Sequence, residues 1–374
     1  MANNKNQHFV PQFYLRRFSR DGSSIAVFNL AGREHHPTAS IKGQCAKPYF
    51  YGRNPKVEEA IQGLEQMGAA VIRDILASDE PPRKGSLPHH RLVSYVMTQW
   101  GRTPEAASEQ EAFATEFVRR IVKTQGALTN PSLMEHAESI RVRYEDPVRN
   151  AMKLALSAAP MLFDLECKLI VNDSPLEFAT SDVAVVLHNR WCEGISGSGT
   201  TGFASRGLMV LLPISPRRLV LLYDGSVYQV GNPGMRVVRF QDEHDANVLN
   251  EFQYASAHKN LYYSGDQATA RALDAMTIER APRSMQVQSH RATSAPGEER
   301  SELIHMYREA LPVRADLAWL RINKAMQRVA SAKRARSWRT EAHRMDDRIR
   351  DPRERRYKEP PGHVSRTWHL VPDE

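Results

Sequence analysis

The chain has little that would tie it to a membrane, a disulfide framework or a common metal ribbon. No apolar run approaches the roughly 18 residues of a membrane span. The opening residues Met1–His8 have no apolar core, so no secretory leader is expected. The cysteines are few, odd in number and far apart (Cys45, Cys167, Cys192), and no Cys-x-x-Cys pair exists. That argues against structural disulfides or a zinc ribbon and fits a reducing cytoplasm. No Gly-x-Ser-x-Gly elbow and no His-Glu-x-x-His helix occurs. The Gly-rich stretch Gly194–Gly202 lacks the Gly-Lys-Ser/Thr ending and the strand-then-helix flanks of a phosphate-binding loop, so it reads as a loop between strands. His35 and His36 are adjacent and point apart, with no third ligand at helical spacing, which argues against a metal site there.

What is present is ordinary for a globular chain: 374 residues, 41% hydrophobic and 25% charged. The charge is uneven. Residues 321–374 hold fifteen basic and eight acidic side chains, a net +7 out of the chain's +8. The remainder is almost neutral, so the basic character belongs to the C-terminal part.

Periodicity predicts an α+β fold. Ile25–Leu30 reads as a strand. Asn54-Pro55 opens a helix whose stripe is Val57, Ile61, Leu64, Gly68, Val71 and Ile75, with Glu58, Glu59, Glu65 and Arg73 on the other side. Further helices are expected over 90–100, 105–124 and from Asn130-Pro131 to about residue 157, with an interruption at Pro147. This helical block, about residues 54–158, precedes a mostly antiparallel sheet over about 160–240. The alternation Leu162, Asp164, Glu166, Lys168, Ile170 predicts a strand, and Leu176–Thr180 its hairpin return. Helices over 242–259 and 267–280 complete a first unit, residues 1–280. A Pro- and Ser-rich linker is expected over 281–299. Residues 300–374 are expected to form a helical, basic C-terminal extension with a disordered end, carrying a stripe of Trp319, Ile322, Met326 and Val329 that needs a partner, in this chain or a second copy.

The opening stretch His8-Phe-Val-Pro-Gln-Phe-Tyr-Leu-Arg-Arg-Phe mixes apolar residues with His8, Gln12, Tyr14, Arg16 and Arg17. It reads either as a core-docking segment with a satisfied histidine or as a site histidine that titrates near neutrality. Thr180-Ser181-Asp182 stands at a strand turn, either as site residues or as a closing Asx or Ser/Thr turn. Arg102, after Gln99-Trp100-Gly101 at a helix end, offers a fixed positive charge for a phosphate or carboxylate, or caps carbonyls. Asp164-x-Glu166-x-Lys168 has the acid-x-Lys arrangement of two-layer nucleases, and equally the solvated face of an amphipathic strand.

With those residues named, the chain resembles the domain-of-unknown-function 4238 family, an uncharacterised and mainly bacterial group. The family's opening motif His-x-Val/Ile-Pro-x-x-Tyr-Leu is matched by His8, Val10, Pro11, Tyr14 and Leu15. Gln99, Arg102-Thr103-Pro104, Thr180-Ser181-Asp182, Pro213-Ile214-Ser215-Pro216 and Asn250 fit in the family's order. Where the family usually continues Ser-Asp with Asn-Pro, Val183-Ala184 stand. The resemblance implies a shared fold over roughly residues 5–265 and no particular activity.

The functional expectation is a nucleic-acid-acting protein of the phosphodiester hydrolase type. His8 would serve as acid/base, Asp182 as metal or water ligand and Arg102 as phosphate clamp, with Gln12, Tyr14, Gln99, Ser181 and Asn250 as substrate-binding residues. A divalent metal is the candidate cofactor, with no ligand set specified. Lys333, Arg334, Arg336, Arg339, Arg355 and Arg356 are the candidate nucleic-acid contacts of the basic extension, which would equally suit an acidic protein. The alternative is a non-catalytic nucleic-acid-binding or assembly module in which the polar cluster is structural.

Overall fold

The computed structural model describes residues 6–129, 136–195, 199–278, 286–292, 301–335 and 337–339. Its architecture is α+β. The chain opens with β1 (Asn6–His8), the short helix α1 (Gln12–Leu15), β2 (Ser24–Asn29), β3 (Glu34–Ser40) and β4 (Ala46–Pro48). The helical block follows as α2 (Pro55–Ser78), α3 (Leu87–Gly101), α4 (Pro104–Thr129) and α5 (Pro147–Ala158). Local chemistry sets these boundaries. The Asn54 side chain accepts from the Lys56 amide and Ser86 from that of His89, each ahead of a proline in the first turn. Asp79 closes α2 in the left-handed region, at φ 53°. The predicted apolar stripe buries Ile61, Val71 and Ile75. Gly68, within that stripe, lets α2 approach α3: a Cβ there would lie 2.1 Å from the Tyr95 ring. The helix start expected at Asn130-Pro131 lies outside the described residues; Ala137–Ser139 is a 3-10 turn, and α5 begins at Pro147, where an interruption was expected, its missing N–H and fixed φ suiting a first turn.

β5 (Glu166–Asn172) is buried from Cys167 onward and is a central strand. Leu169 and Val171 face one hydrophobic core, and Ile170 faces a second. Two departures from the sequence pattern occur here. Ala159–Leu162 is a 3-10 turn, not the start of the strand. Nor does the following segment fold back as a hairpin: β6 (Thr180–Ser181) joins another sheet. The remaining elements are β7 (Val186–His188), β8 (Met209–Ser215), β9 (Arg218–Tyr223), β10 (Tyr228–Val230), β11 (Val237–Phe240), α6 (Glu243–Ser256), β12 (Asn260–Tyr263) and α7 (Gln267–Ala275). The larger sheet has the order β11-β5-β9-β8-β7, with only the β11–β5 pair parallel. The second sheet, β3-β2-β12-β6, is antiparallel throughout.

The C-terminal part differs from the expected linker and helices. β13 (Gln286–Ala292) lies within the expected linker and pairs with β14 (Ser301–Tyr307), where a helix was expected. Val313, Ala315 and Leu317 are buried while Pro312, Arg314, Asp316 and Ala318 are exposed, which is the period of an extended chain. These residues enter the second core beside Trp191 and Phe252. Next come β15 (Leu320–Ile322), paired with β10, and two short helical turns, α8 (Lys324–Gln327) and α9 (Ser331–Arg334). Trp319, Ile322, Met326 and Val329, partly buried, pack on the same core, so the apolar stripe meets its own chain. The expected disordered end, with Arg355 and Arg356, lies outside the described residues. No helix among the described residues is long and apolar enough to cross a membrane.

Candidate functional site

The opening motif is built as a seam between sheet and helices. β1 pairs with β4, placing His8 opposite Ala46, and the Phe9 amide donates to the Cys45 carbonyl at 2.8 Å. Pro11 then caps α1 from an extended conformation. His8 is half-buried, and its Nε2 lies 3.2 Å from the Lys42 carbonyl and 3.3 Å from Gln12 Nε2. Arg16 donates to Gln12 Oε1 at 2.8 Å, which turns the Gln12 amide nitrogen toward the imidazole. His8 Nε2 therefore accepts from Gln12 in one tautomer and donates to Lys42 in the other. Burial lowers the His8 pKa, against the raising effects of the Lys42 hydrogen bond and Glu65, so the ring is neutral at pH 7.

The His8 carbonyl, rather than its ring, meets Arg102. It accepts from Tyr51 Oη at 2.8 Å and from Arg102 Nη2. Arg102 Nε donates to Tyr51 Oη at 2.8 Å, and Nη2 pairs with Glu65 at 2.6 Å. The guanidinium is 1% exposed. Burial disfavours its charge, but Tyr51 and Glu65 outweigh that and hold it charged. Gln99, one turn earlier, donates to the Phe9 carbonyl at 2.9 Å. Glu65 is thus the counter-ion of a buried arginine. The amphipathic pattern placed it on the solvent side of α2, and only the arginine's eventual position could have revealed it. Tyr95 Oη and Gln99 Oε1 of α3 and Nη1 of Arg102 at its C-cap are buried with no hydrogen-bond partner among the described residues.

The other motif residues form a second cluster. Tyr14 Oη donates to the Pro213 carbonyl at 2.5 Å and lies 2.7 Å from Thr180 Oγ1. Ser181 Oγ donates to Gln253 Oε1 at 2.9 Å. Asn250 accepts from the Ala179 amide and donates to the Glu177 carbonyl, both at 2.8 Å, pinning the chain that leads into β6. Asp182 accepts from the amides of His258 and Lys259 at 2.7 Å and of Asn260 at 3.2 Å. Burial raises the Asp182 pKa, while those backbone bonds pull it down. No hydrogen bond or ion pair among the described residues joins Asp182 or Asn250 to His8. The structure brings His8, Gln12, Gln99 and Arg102 together and places Tyr14, Ser181, Asp182 and Asn250 around β6.

The acid-x-Lys arrangement is dispersed. Asp164 pairs with Arg339, Glu166 with Lys84, and Lys168, buried, donates to the carbonyls of Val230 and Asn232. Burial lowers the Lys168 pKa. Among the described residues no group of three His, Cys, Asp or Glu side chains is placed to hold a metal ion.

Residues 6–267 match the family described as Protein of unknown function (DUF4238). The chain belongs to the DUF4238 family. No curated protein and no solved structure matches it. The DUF4238 match therefore takes in both polar clusters and ends at the first residue of α7.

Outside the DUF4238 segment, the basic excess is sharply localised. Residues 321–339 contain seven basic side chains and no acidic one, whereas 340–374 contain eight of each. Two of the candidate contacts turn inward. Arg339, 4% exposed, pairs with Asp164 at 2.8 Å and donates to the carbonyls of Met161, Phe203 and Ser205. Arg334 donates to the carbonyls of Gln327, Val329 and Trp191 and stacks over the Trp191 ring. These two are held by the protein's own backbone and act as anchors of the segment. Arg321, Lys324, Arg328 and Lys333 are exposed and take part in no salt bridge among the described residues. Arg336 lies outside the described residues.

Proposed function

We propose that this DUF4238 protein is a non-catalytic nucleic-acid-binding protein that holds its polyanion on the docked segment 321–339. The observation that carries the reading is the run of seven basic and no acidic side chains, four of them exposed and with no carboxylate partner among the described residues, on a segment anchored to the second core. A phosphate backbone is the partner such a surface fits, because each neutralised phosphate releases condensed counterions. Grooves beside it carry Arg83, Lys84, Arg236 and Arg239, although Glu166, Glu80, Asp79 and Asp173 partly neutralise these. The hydrolase reading draws less support. It asks Asp182 to hold a metal or water and Arg102 to clamp a phosphate, and both are engaged by the protein itself. The reading includes a cytoplasmic location, supported by three free, buried cysteines.

The test is a gel-shift titration with duplex DNA and single-stranded RNA, using the whole chain. A variant carrying Arg321→Gln, Lys324→Gln, Arg328→Gln and Lys333→Gln should bind at least about tenfold more weakly while melting like the wild type. Removal of residues 340–374, which are electrically balanced, should leave affinity unchanged. Unchanged affinity in the fourfold variant would refute the reading. Retention of an acidic polypeptide in place of nucleic acid would redirect it.

A further inference from the structure

Glu166 and Lys168, the remainder of the acid-x-Lys pattern, stand on the floor of a cleft. β5 turns both side chains to one face, and the register sets Tyr223 of β9 directly opposite Glu166. β10 and the turn after it form one wall, residues 82–84 after α2 form another, and Asn323 joins the lining from the C-terminal segment. The cleft has a volume of about 710 Å³, within the range of small-molecule sites.

Its floor holds a buried cation without a counter-ion of its own. Lys168 is 8% exposed, and its ammonium donates to the Val230 carbonyl at 2.6 Å and the Asn232 carbonyl at 3.2 Å. An ammonium has three N–H groups, so one is left over. Lys168 pairs with no carboxylate among the described residues, and Glu166, two positions away, is engaged by Lys84 at 2.9 Å. Burial works against the charge of Lys168, and a buried charge ordinarily has a partner. Tyr223 is 6% exposed on the same floor, and its hydroxyl has no hydrogen-bond partner among the described residues. Burial and the nearby Glu166 raise its pKa, so it remains a proton donor at neutral pH. Arg83 is exposed at the rim and takes part in no ion pair among the described residues.

Four cationic side chains line the cleft, Arg83, Lys84, Lys168 and Arg236, against one carboxylate, Glu166. Glu80 pairs with Arg236 from outside the lining, which leaves an excess of two positive charges. A phosphate monoester suits both the donors and the excess, with a charge of about −1.5 to −2 at pH 7 and three strong acceptor oxygens. We propose that this cleft binds a phosphate monoester, held by Lys168, Tyr223 and Arg83. The phosphate belongs to a free nucleotide or to the 5′ end of a strand. For the second source the proposal rests on the polyanion reading, since Asn323 connects the cleft to segment 321–339.

Calorimetric titration of the full chain with adenosine 5′-monophosphate, and with adenosine, tests the site. The monophosphate should bind one to one and saturably, and adenosine should not bind. Tyr223→Phe removes a hydroxyl and no hydrogen bond seen within the protein, and it should weaken the monophosphate about tenfold, as loss of a bond to a charged acceptor does. Arg83→Gln should weaken it to a similar degree. Lys168→Met should abolish binding, with a thermal melt to verify folding; if it does not fold, the other two variants carry the test. The fourfold glutamine variant alters no residue that lines the cleft and should keep its affinity for the monophosphate, so failure of the polyanion reading and failure of this site are separate results. Gel shifts with 5′-phosphorylated and 5′-hydroxyl single strands separate the sources: preference for the phosphorylated strand assigns a strand end, and monophosphate binding without that preference assigns a free nucleotide. The assignment is overturned if neither the monophosphate nor the phosphorylated strand is preferred over its counterpart lacking phosphate. It is equally overturned if Tyr223→Phe and Arg83→Gln both leave affinity unmoved, or if the fourfold variant loses the monophosphate.

Discussion

Replacing Asp182 by alanine separates a structural motif from a catalytic one. The carboxylate holds three consecutive amides where the chain leaves α6 and enters β12. Hydrogen bonds to a charged acceptor contribute about 1.5–3 kcal/mol each. Two effects reduce their sum. Burial of the carboxylate is itself unfavourable, as its raised pKa indicates, and His258 and Lys259 are exposed enough for their freed amides to reach solvent. The net loss should be about 2–4 kcal/mol, or roughly 3–5 °C in Tm for a chain of this size. Asp182→Asn should fall between wild type and alanine, because its amide nitrogen would face a donor N–H where an oxygen now accepts. Thermal and urea melts followed by circular dichroism measure both. If Asp182→Ala melts within about 1 °C of the wild type, the capping argument is refuted, and a folded protein that has lost nuclease turnover would restore the hydrolase reading.

Other parts of the account are open to the same kind of measurement. Arg339→Ala leaves Asp164 unpaired and three carbonyls without their donor, so it should cost about 3–5 kcal/mol in urea unfolding, whereas deletion of residues 340–374 should leave the melt unchanged. His89 is buried with its pKa lowered to about 4, burial being the main cause, from an ordinary 6.5. The unfolded chain therefore takes up this proton first as pH falls, so stability should decline between about pH 6.5 and pH 4 by up to about 3 kcal/mol, and His89→Gln should flatten that decline. Asp79, beside Arg218 and Arg239, has its pKa lowered, so its stabilisation is present above its ordinary value of 3.8 and lost as acid carries pH through the lower folded value; Asp79→Asn should remove that part of the acid sensitivity.

Much of the α+β organisation was legible because it rests on local rules. The Asn54-Pro55 start, the stripe along α2 and the Asp242 cap of α6 follow from neighbouring residues alone. The opening motif was legible as a docking segment for the same reason: its apolar side chains and rigid Val10-Pro11 bend demand burial. The roles of its polar partners were not, because they depend on distant backbone. Asp182 caps amides 76 positions away, and Arg102 reaches the His8 carbonyl across 94. The C-terminal segment misled by overlap of periods. Trp319, Ile322, Met326 and Val329 mimic a helical stripe, while Val313, Ala315 and Leu317 just before them alternate as an extended strand does. Charge taken over 321–374 as a whole also hid its confinement to residues 321–339.

The salt dependence of nucleic-acid affinity tests the central claim most directly. The four exposed cations of the docked segment should give a slope of log affinity against log salt of about −3 to −4 on duplex DNA. The fourfold glutamine variant should bring that slope close to zero, with the melt unchanged. A wild-type slope near zero, or the same steep slope in wild type and variant, would contradict the assignment of segment 321–339 as the polyanion-binding surface.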